Sequence, residues 1–184
     1  MHGTSNRGDS RLRLLVSQQG DIAEIRVEKQ RVSFRWSMGW QQHNGVSLEI
    51  GIPKQFAGKL SVEGVSSDIT LQNHTYSDLA LKTISGDIET DGALAITGGA
   101  DAHTVSGDVA LSFSTMPNSI AVKTVSGDVH LAVPANAQYS LETHSVSGDV
   151  TSDSPATNSQ PGSKGTIKAN TVSGDIRITR SGGI

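Results

Sequence analysis

Six aspartates recur along the last two-thirds of the chain: Asp68, Asp87, Asp108, Asp128, Asp149 and Asp175. Five follow a glycine (Gly86, Gly107, Gly127, Gly148, Gly174) and the first follows Ser67. A file of carboxylates could bind calcium, hold a polar substrate or meet a basic partner. A plainer chemistry competes, because an Asp behind a Gly in a tight bend accepts a backbone N–H close by, as Asx turns do. Calcium-binding β-rolls use a nonapeptide Gly-Gly-x-Gly-x-Asp repeat, whereas the spacings here are 19, 21, 20, 21 and 26. Carboxylates about 4.8 Å apart in water repel by only about 0.9 kcal/mol, which a hydrogen bond offsets. The file therefore reads as a structural turn ladder rather than a metal or catalytic site.

Other side chains offer less. Thr83/Ser85, Thr104/Ser106, Thr124/Ser126 and Thr171/Ser173 bracket a Val or Ile read as inward. The resulting outward hydroxyl ladder is like the flat face of an ice-binding solenoid, but a bend at Ser-Gly would break the flatness. His103 and His144 share a column with Lys123 between them. That places them two rungs, about 10 Å, apart, too far to share a metal bound at about 2.1 Å. Trp36 and Trp40 are candidate contacts for a ligand or partner, although large aromatics more often cover a core. Arg7-Gly8-Asp9-Ser10 spells an integrin-recognition tetrapeptide. No nucleophile elbow, phosphate loop, His-Glu-x-x-His or acyltransferase hexapeptide occurs, so no catalytic, cofactor or metal residue is assigned. A chain with no cysteine has no disulfide framework.

The elements that position these residues follow from aligning the copies on Asp. The motifs run Val65-Ser66-Ser67-Asp68-Ile69, then Ile84, Val105, Val125, Val146 and Val172 each leading Ser-Gly-Asp and a Val or Ile. Eight residues before Asp stand Leu60, Leu79, Ala100, Ile120, Leu141 and Ile167, and six before it Val62, Leu81, Ala102, Val122, Thr143 and Ala169. A separation of two is strand alternation with one buried face. The reading places a skip after that pair, with the Val or Ile before Ser-Gly-Asp turned inward. Each rung is then strand, bend, strand and variable loop, and six stacked rungs share a core. Ile52-Pro53 and Val133-Pro134 stand equally far before Asp68 and Asp149, so the first rung is expected to begin near Val46.

The expected fold is all-β, a single-stranded β-solenoid (β-helix) of about six rungs. Residues 1–10 read as a flexible tail, 11–45 as an N-terminal β cap with strands Leu12–Val16, Ile22–Val27 and Val32–Trp36, and 46–184 as the solenoid, continuous with the cap. Ser67 predicts a less sharp first bend. The stretch Ile176–Ile184 shows no cap, leaving that end free for end-to-end self-association. Residues 1–60 carry nine Lys/Arg against five Asp/Glu, and residues 61–184 six against thirteen. An acidic body excludes nucleic acid as a partner, and no apolar stretch approaches the roughly 20 residues of a transmembrane span.

The Thr-Val-Ser-Gly-Asp-Val pattern, with Val133-Pro134-Ala135-Asn136-Ala137 leading into Tyr139-Ser140-Leu141-Glu142-Thr143, resembles the bacterial "putative adhesin" family. These are β-strand-repeat domains of unknown function, similar to the solenoid domain of daptomycin-sensing surface proteins, and the resemblance covers about residues 20–180. It implies a right-handed solenoid, no catalytic residues to carry over, and a role at the cell envelope in adhesion, stress sensing or scaffolding. Members often carry a membrane segment or helical domain, and neither is present in this sequence. The reading is a non-enzymatic binding or scaffold module of the bacterial cell envelope or surface, without cofactor. Its partner would be a protein or an envelope polymer, and without an anchor or export signal its place would be the cytoplasm. The alternatives are a lectin-like or glycan-active protein using the Trp36/Trp40 loop, and a self-assembling structural solenoid.

Overall fold

The computed structural model describes residues 12–19, 22–29, 48–153 and 165–181, the first two stretches as backbone. The chain forms two compact units, Met1–Ile52 and Pro53–Ile184. In the first, β1 (Leu12–Gln19) and β2 (Ile22–Lys29) pair antiparallel from Leu12↔Lys29 to Gln19↔Ile22, the two strands expected there. The third expected strand, Val32–Trp36, lies outside the described residues.

The second unit holds β3 (Leu60–Glu63), β4 (Ile69–Gln72), β5 (Thr75–Tyr76), β6 (Leu79–Lys82), β7 (Ile88–Asp91), β8 (Ala95–Ile96) and β9 (Gly99–His103). It continues with β10 (Val109–Ser112), β11 (Ser119–Lys123), β12 (Val129–Pro134), β13 (Tyr139–Ser147), β14 (Val150–Ser152), β15 (Gly165–Ser173) and β16 (Ile176–Ser181). All its described pairings are parallel, in two six-stranded sheets joined rung by rung through the Ser-Gly-Asp corners. On a third side β5 pairs with β8, and a bridge from Leu94 to Phe113 prolongs that contact. Tyr76, Leu94, Ile96 and Phe113 are buried there. This is a β-solenoid, as the repeat dictates: one rung cannot cover its own apolar face, and stacked rungs cover one another. Among the described residues no helix is long and apolar enough to cross a membrane.

The rungs do not stack in chain order. Numbered by their Ser-Gly-Asp copy, they lie 1-2-3-4-6-5, since the sheets run β3-β6-β9-β11-β15-β13 and β4-β7-β10-β12-β16-β14. The last rung sits between the fourth and fifth, pairing β11 on one side and β13 on the other. Inward side chains explain the preference. Rung 6 turns in Ile167, Ala169, Ile176 and Ile178, all fully buried. Rung 5 offers Leu141, Thr143, Ser145 and Ser152, which are only half-buried, and Val150, which is 45% exposed where its equivalents in other rungs are at most 7%. Burying an Ile side chain contributes about 1.5–3 kcal/mol, so the more apolar rung takes the inner place and the more polar one faces solvent. The open end expected at Ile176–Ile184 is therefore formed by rung 5 instead.

One local expectation also changes. Residues 48–53 carry no strand, Leu48 and Ile50 are exposed, and the first described strand of the solenoid starts at Leu60; Val46 lies outside the described residues. Alternation marks a strand only where a neighbour covers the apolar face. The two Pro pairs are nonetheless equivalent: Phe56 N–H donates to Pro53 O and Ala137 N–H to Pro134 O, each at 2.9 Å.

Candidate functional site

At each corner the backbone ladder runs on through Ser and Gly, and the Asp N–H alone is taken up by a side chain. Asp87 N–H donates to Asp68 Oδ1 at 3.1 Å; Asp108 N–H to Asp87, Asp128 N–H to Asp108, Asp175 N–H to Asp128 and Asp149 N–H to Asp175 follow, each at 2.8 Å. Each of these carboxylates thus accepts an N–H from the next rung, where the sequence pointed to a local one. Among the described residues no cluster of three His, Asp or Glu converges to hold a metal.

The glycines are demanded by the same close stacking. Gly86, Gly107, Gly127, Gly148 and Gly174 have φ between +145° and +151°, where side chains are disfavoured. A Cβ on Gly127 would lie 2.0 Å from Gly107 O, and one on Gly148 2.1 Å from Gly174 O. Ser67 is permitted because its rung starts the ladder: its own carbonyl is the one that a Cβ on Gly86 would strike.

The column next to the corner reverses the sequence expectation. Thr83, Thr104, Thr124 and Thr171 point inward and are at most 5% exposed, while the Val or Ile after each points out. Alternation therefore continues for one more step, to four residues before Asp, and slips only within Val-Ser-Gly-Asp. A buried hydroxyl is costly unless bonded, and each one is: Thr104, Thr124 and Thr171 Oγ1 donate to the carbonyls of Gly86, Gly107 and Gly127 at 3.3 Å. Thr83 donates to Ser67 O at 3.2 Å and Ser145 to Gly174 O at 3.1 Å. The threonine half of the hydroxyl ladder faces the core and only the serines stay outside, which removes the ice-binding comparison.

What reaches solvent is a file of aliphatic side chains, in stack order Val65, Ile84, Val105, Val125, Val172 and Val146, each 45–69% exposed. Beside it, two residues earlier and also outward, run Glu63, Lys82, His103, Lys123, Asn170 and His144. The two columns line a groove of about 570 Å³ along five rungs, and the strand backbone at the inward-facing threonines is its floor. No carboxylate lines it, although the body around it is acidic. The lone cross-rung ion pair on this sheet among the described residues, Lys168 Nζ to Glu142 Oε2 at 2.8 Å, belongs to a neighbouring column. His103 and His144 prove to be three rungs apart, with Lys123 and Asn170 between them, because rung 6 is inserted. That is about 14 Å at the strand spacing.

The sequence reading missed this groove by turning the Val/Ile file inward. The signal was present, since the threonines continue the two-residue period without a break. Trp36, Trp40 and the Arg-Gly-Asp tetrapeptide lie outside the described residues. Elsewhere, burial pushes the Tyr76 hydroxyl above its ordinary pKa. His74 packs 4.9 Å from that ring and hydrogen-bonds Phe56 O at 2.8 Å, a packing arrangement on the third side of the solenoid.

Comparison with known proteins adds the following. The Toastrack DUF4097 domain matches the chain twice, over residues 2–96 and 94–179. A crystal structure of a "putative cell adhesion protein from Clostridium sporogenes ATCC 15579" is similar over 93% of this chain and 77% of that one, at 14% identity and a TM-score of 0.45. No curated protein matches.

Proposed function

Since the chain belongs to the Toastrack DUF4097 family, the β-strand-repeat domains its motif pointed to, we propose that it is a non-enzymatic binding module of the bacterial envelope whose contact face is the Val/Ile groove. One observation carries the reading: the repeat places Thr inside and Val outside. The inward Thr is explained by its bond to a glycine carbonyl. The outward Val has no such role, and an aliphatic file left in water marks an interaction surface. The basic and imidazole column beside it, with a carboxylate at Glu63 on the first rung and none on the five rungs of the groove, suits a linear ligand with an apolar side and anionic groups. Successive rungs offer the same contact about every 4.8 Å, so a repeating polymer engages several at once.

Co-sedimentation with envelope fragments of the source bacterium tests this. The protein is expected to pellet with the fragments, and the variant Lys82→Glu/Val105→Asp/Lys123→Glu to stay in the supernatant with an unchanged circular dichroism spectrum. Equal pelleting of both would remove the groove as the contact face. If neither pellets, the envelope role fails.

A second reading is end-to-end self-association, favoured by the exposed Val150 and by the edges of β13 and β14 on rung 5, which have no further strand partner among the described residues. Opposing it, a stacked rung needs Gly at the corner, and rung 1 brings Ser67. Light scattering across a concentration series decides: growth abolished by Val150→Lys supports it, and a constant monomer mass rejects it.

A further inference from the structure

The order 1-2-3-4-6-5 requires the chain to leave a place on rung 4 empty, build rung 5 beyond it, and step back. Nothing at the corners enforces this. Rung 5 bonds rung 6 through Gly148 beneath the Gly174 carbonyl, Asp149 N–H on Asp175 Oδ1, and Ser145 Oγ on Gly174 O. Rung 4 presents the same atoms, the Gly127 carbonyl and Asp128 Oδ1, now used by Gly174, Thr171 and Asp175. Every corner contact that rung 5 makes is therefore equally available to it on rung 4.

Chain connectivity and side chains then pull in opposite directions. Rung 5 follows rung 4 directly, whereas the Asp175–Asp128 bond joins residues 47 apart. Closing the shorter loop costs less entropy, and local contacts form first. Burial favours the other outcome, because the inner place holds Ile167, Ala169, Ile176 and Ile178 rather than their rung 5 equivalents Leu141, Thr143, Val150 and Ser152. We infer that the solenoid has two stacking orders: rungs 4-5-6 form first, and the C-terminal rung then inserts to give 4-6-5.

The exchange rewrites the groove, a consequence that rests on the groove being the contact face. In the inserted order the column beside the Val file reads Lys123, Asn170, His144. In chain order His144 stands next to Lys123, one rung of about 4.8 Å away instead of two. Asn170 moves to the solvent end. A ligand that spans the upper rungs meets a different sequence of groups in each order, so the ligand and the C-terminal rung are coupled.

The corner serines report the order directly, because they form a continuous parallel ladder: Ser126 bridges Ser173, and Ser173 pairs with Ser147. The chain has no cysteine of its own. Ser126→Cys/Ser173→Cys can close a disulfide in the inserted order, and Ser126→Cys/Ser147→Cys in chain order alone. Two rungs, about 9.6 Å, exceed the Cα separation a disulfide tolerates. Ser85→Cys/Ser147→Cys, adjacent in neither order, sets the background. These serines are exposed, so the variants keep the fold, which circular dichroism checks. Each protein is diluted from denaturant, oxidised in a brief pulse after increasing delays, and scored for monomeric disulfide by non-reducing electrophoresis.

The 126/147 disulfide is expected to be greatest at the shortest delay and to fall to background as the 126/173 disulfide rises. A 126/147 yield at background for every delay would overturn the inference, as would a 126/173 disulfide found in dimers alone. The readout needs no ligand, so failure of the groove reading would leave it unchanged, and its own failure would leave envelope binding intact.

Discussion

Two columns pass through the same six corners, repeated with equal strictness, and the solenoid uses them in opposite ways. Along one, Gly and Asp are bound to the neighbouring rung by steric fit and by the carboxylate-to-N–H ladder. Along the other, Val or Ile stands three residues before the Asp and projects into solvent. β-Branching suits either Val or Thr to a strand end, yet Thr occupies the buried position and Val the exposed one. Repetition in a stack thus has two sources: what each rung needs to sit on the last, and what the finished surface presents. Substitution separates them.

The sharpest separation is at glycine. Gly127→Ala combines a φ of +149° with a Cβ placed 2.0 Å from Gly107 O. The backbone must shift, and a loss of about 3 kcal/mol or more is expected in urea unfolding. Ser67→Ala, at the rung that starts the ladder, should stay within about 0.5 kcal/mol. Equal losses at the two positions would mean that φ and close stacking are not what the glycines serve.

Threonine comes next. Thr124→Val keeps the shape but strips the donor from the Gly107 carbonyl, and an unsatisfied buried acceptor costs about 1–3 kcal/mol. Thermal unfolding should show the loss despite the gain in apolarity. A more stable variant would mean that the hydroxyl contributes nothing.

Most of the architecture was legible because the repeat is nearly identical in each copy. Six Asp, five Gly and the apolar pairs eight and six residues before Asp sufficed for rung number, corner position and parallel stacking. Two things were not. The facing of Val125 and Thr124 depends on one step of phase, and both residue types suit a strand, so a hydropathy reading favours Val inside. The unbroken two-residue period from Val122 to Thr124 points the other way, and its physical cause, the Gly107 carbonyl one rung away, is non-local. The order of rungs 5 and 6 is likewise invisible to alignment, since their corners are the same. It rests on comparing Leu141, Thr143 and Ser145 with Ile167, Ala169 and Thr171 as alternative fillings of one slot.

The aspartate ladder has its own internal control. Asp128→Ala removes the acceptor for Asp175 N–H; because the corner is open to water, a loss of about 1 kcal/mol is expected. Asp149 ends the ladder, and among the described residues its carboxylate receives no N–H, so Asp149→Ala should be neutral to within about 0.5 kcal/mol. If the two cost the same, the file acts through its charge or through a ligand rather than through stacking.

The exposed file should respond least in stability and most in binding. Val105→Thr/Val125→Thr preserves β-branching and strand propensity, and both side chains already stand in water. Unfolding free energy should change by less than about 0.5 kcal/mol, while co-sedimentation with envelope fragments weakens, because two successive apolar contacts at the middle of the groove are lost. This is the reverse of the result at Gly127 and Thr124, where stability falls at positions that reach no ligand. Were the double variant to unfold early, the file would serve packing after all. Were it to bind as the parent does, the exposed valines would reflect strand propensity alone, and the contact face would have to be sought outside the groove.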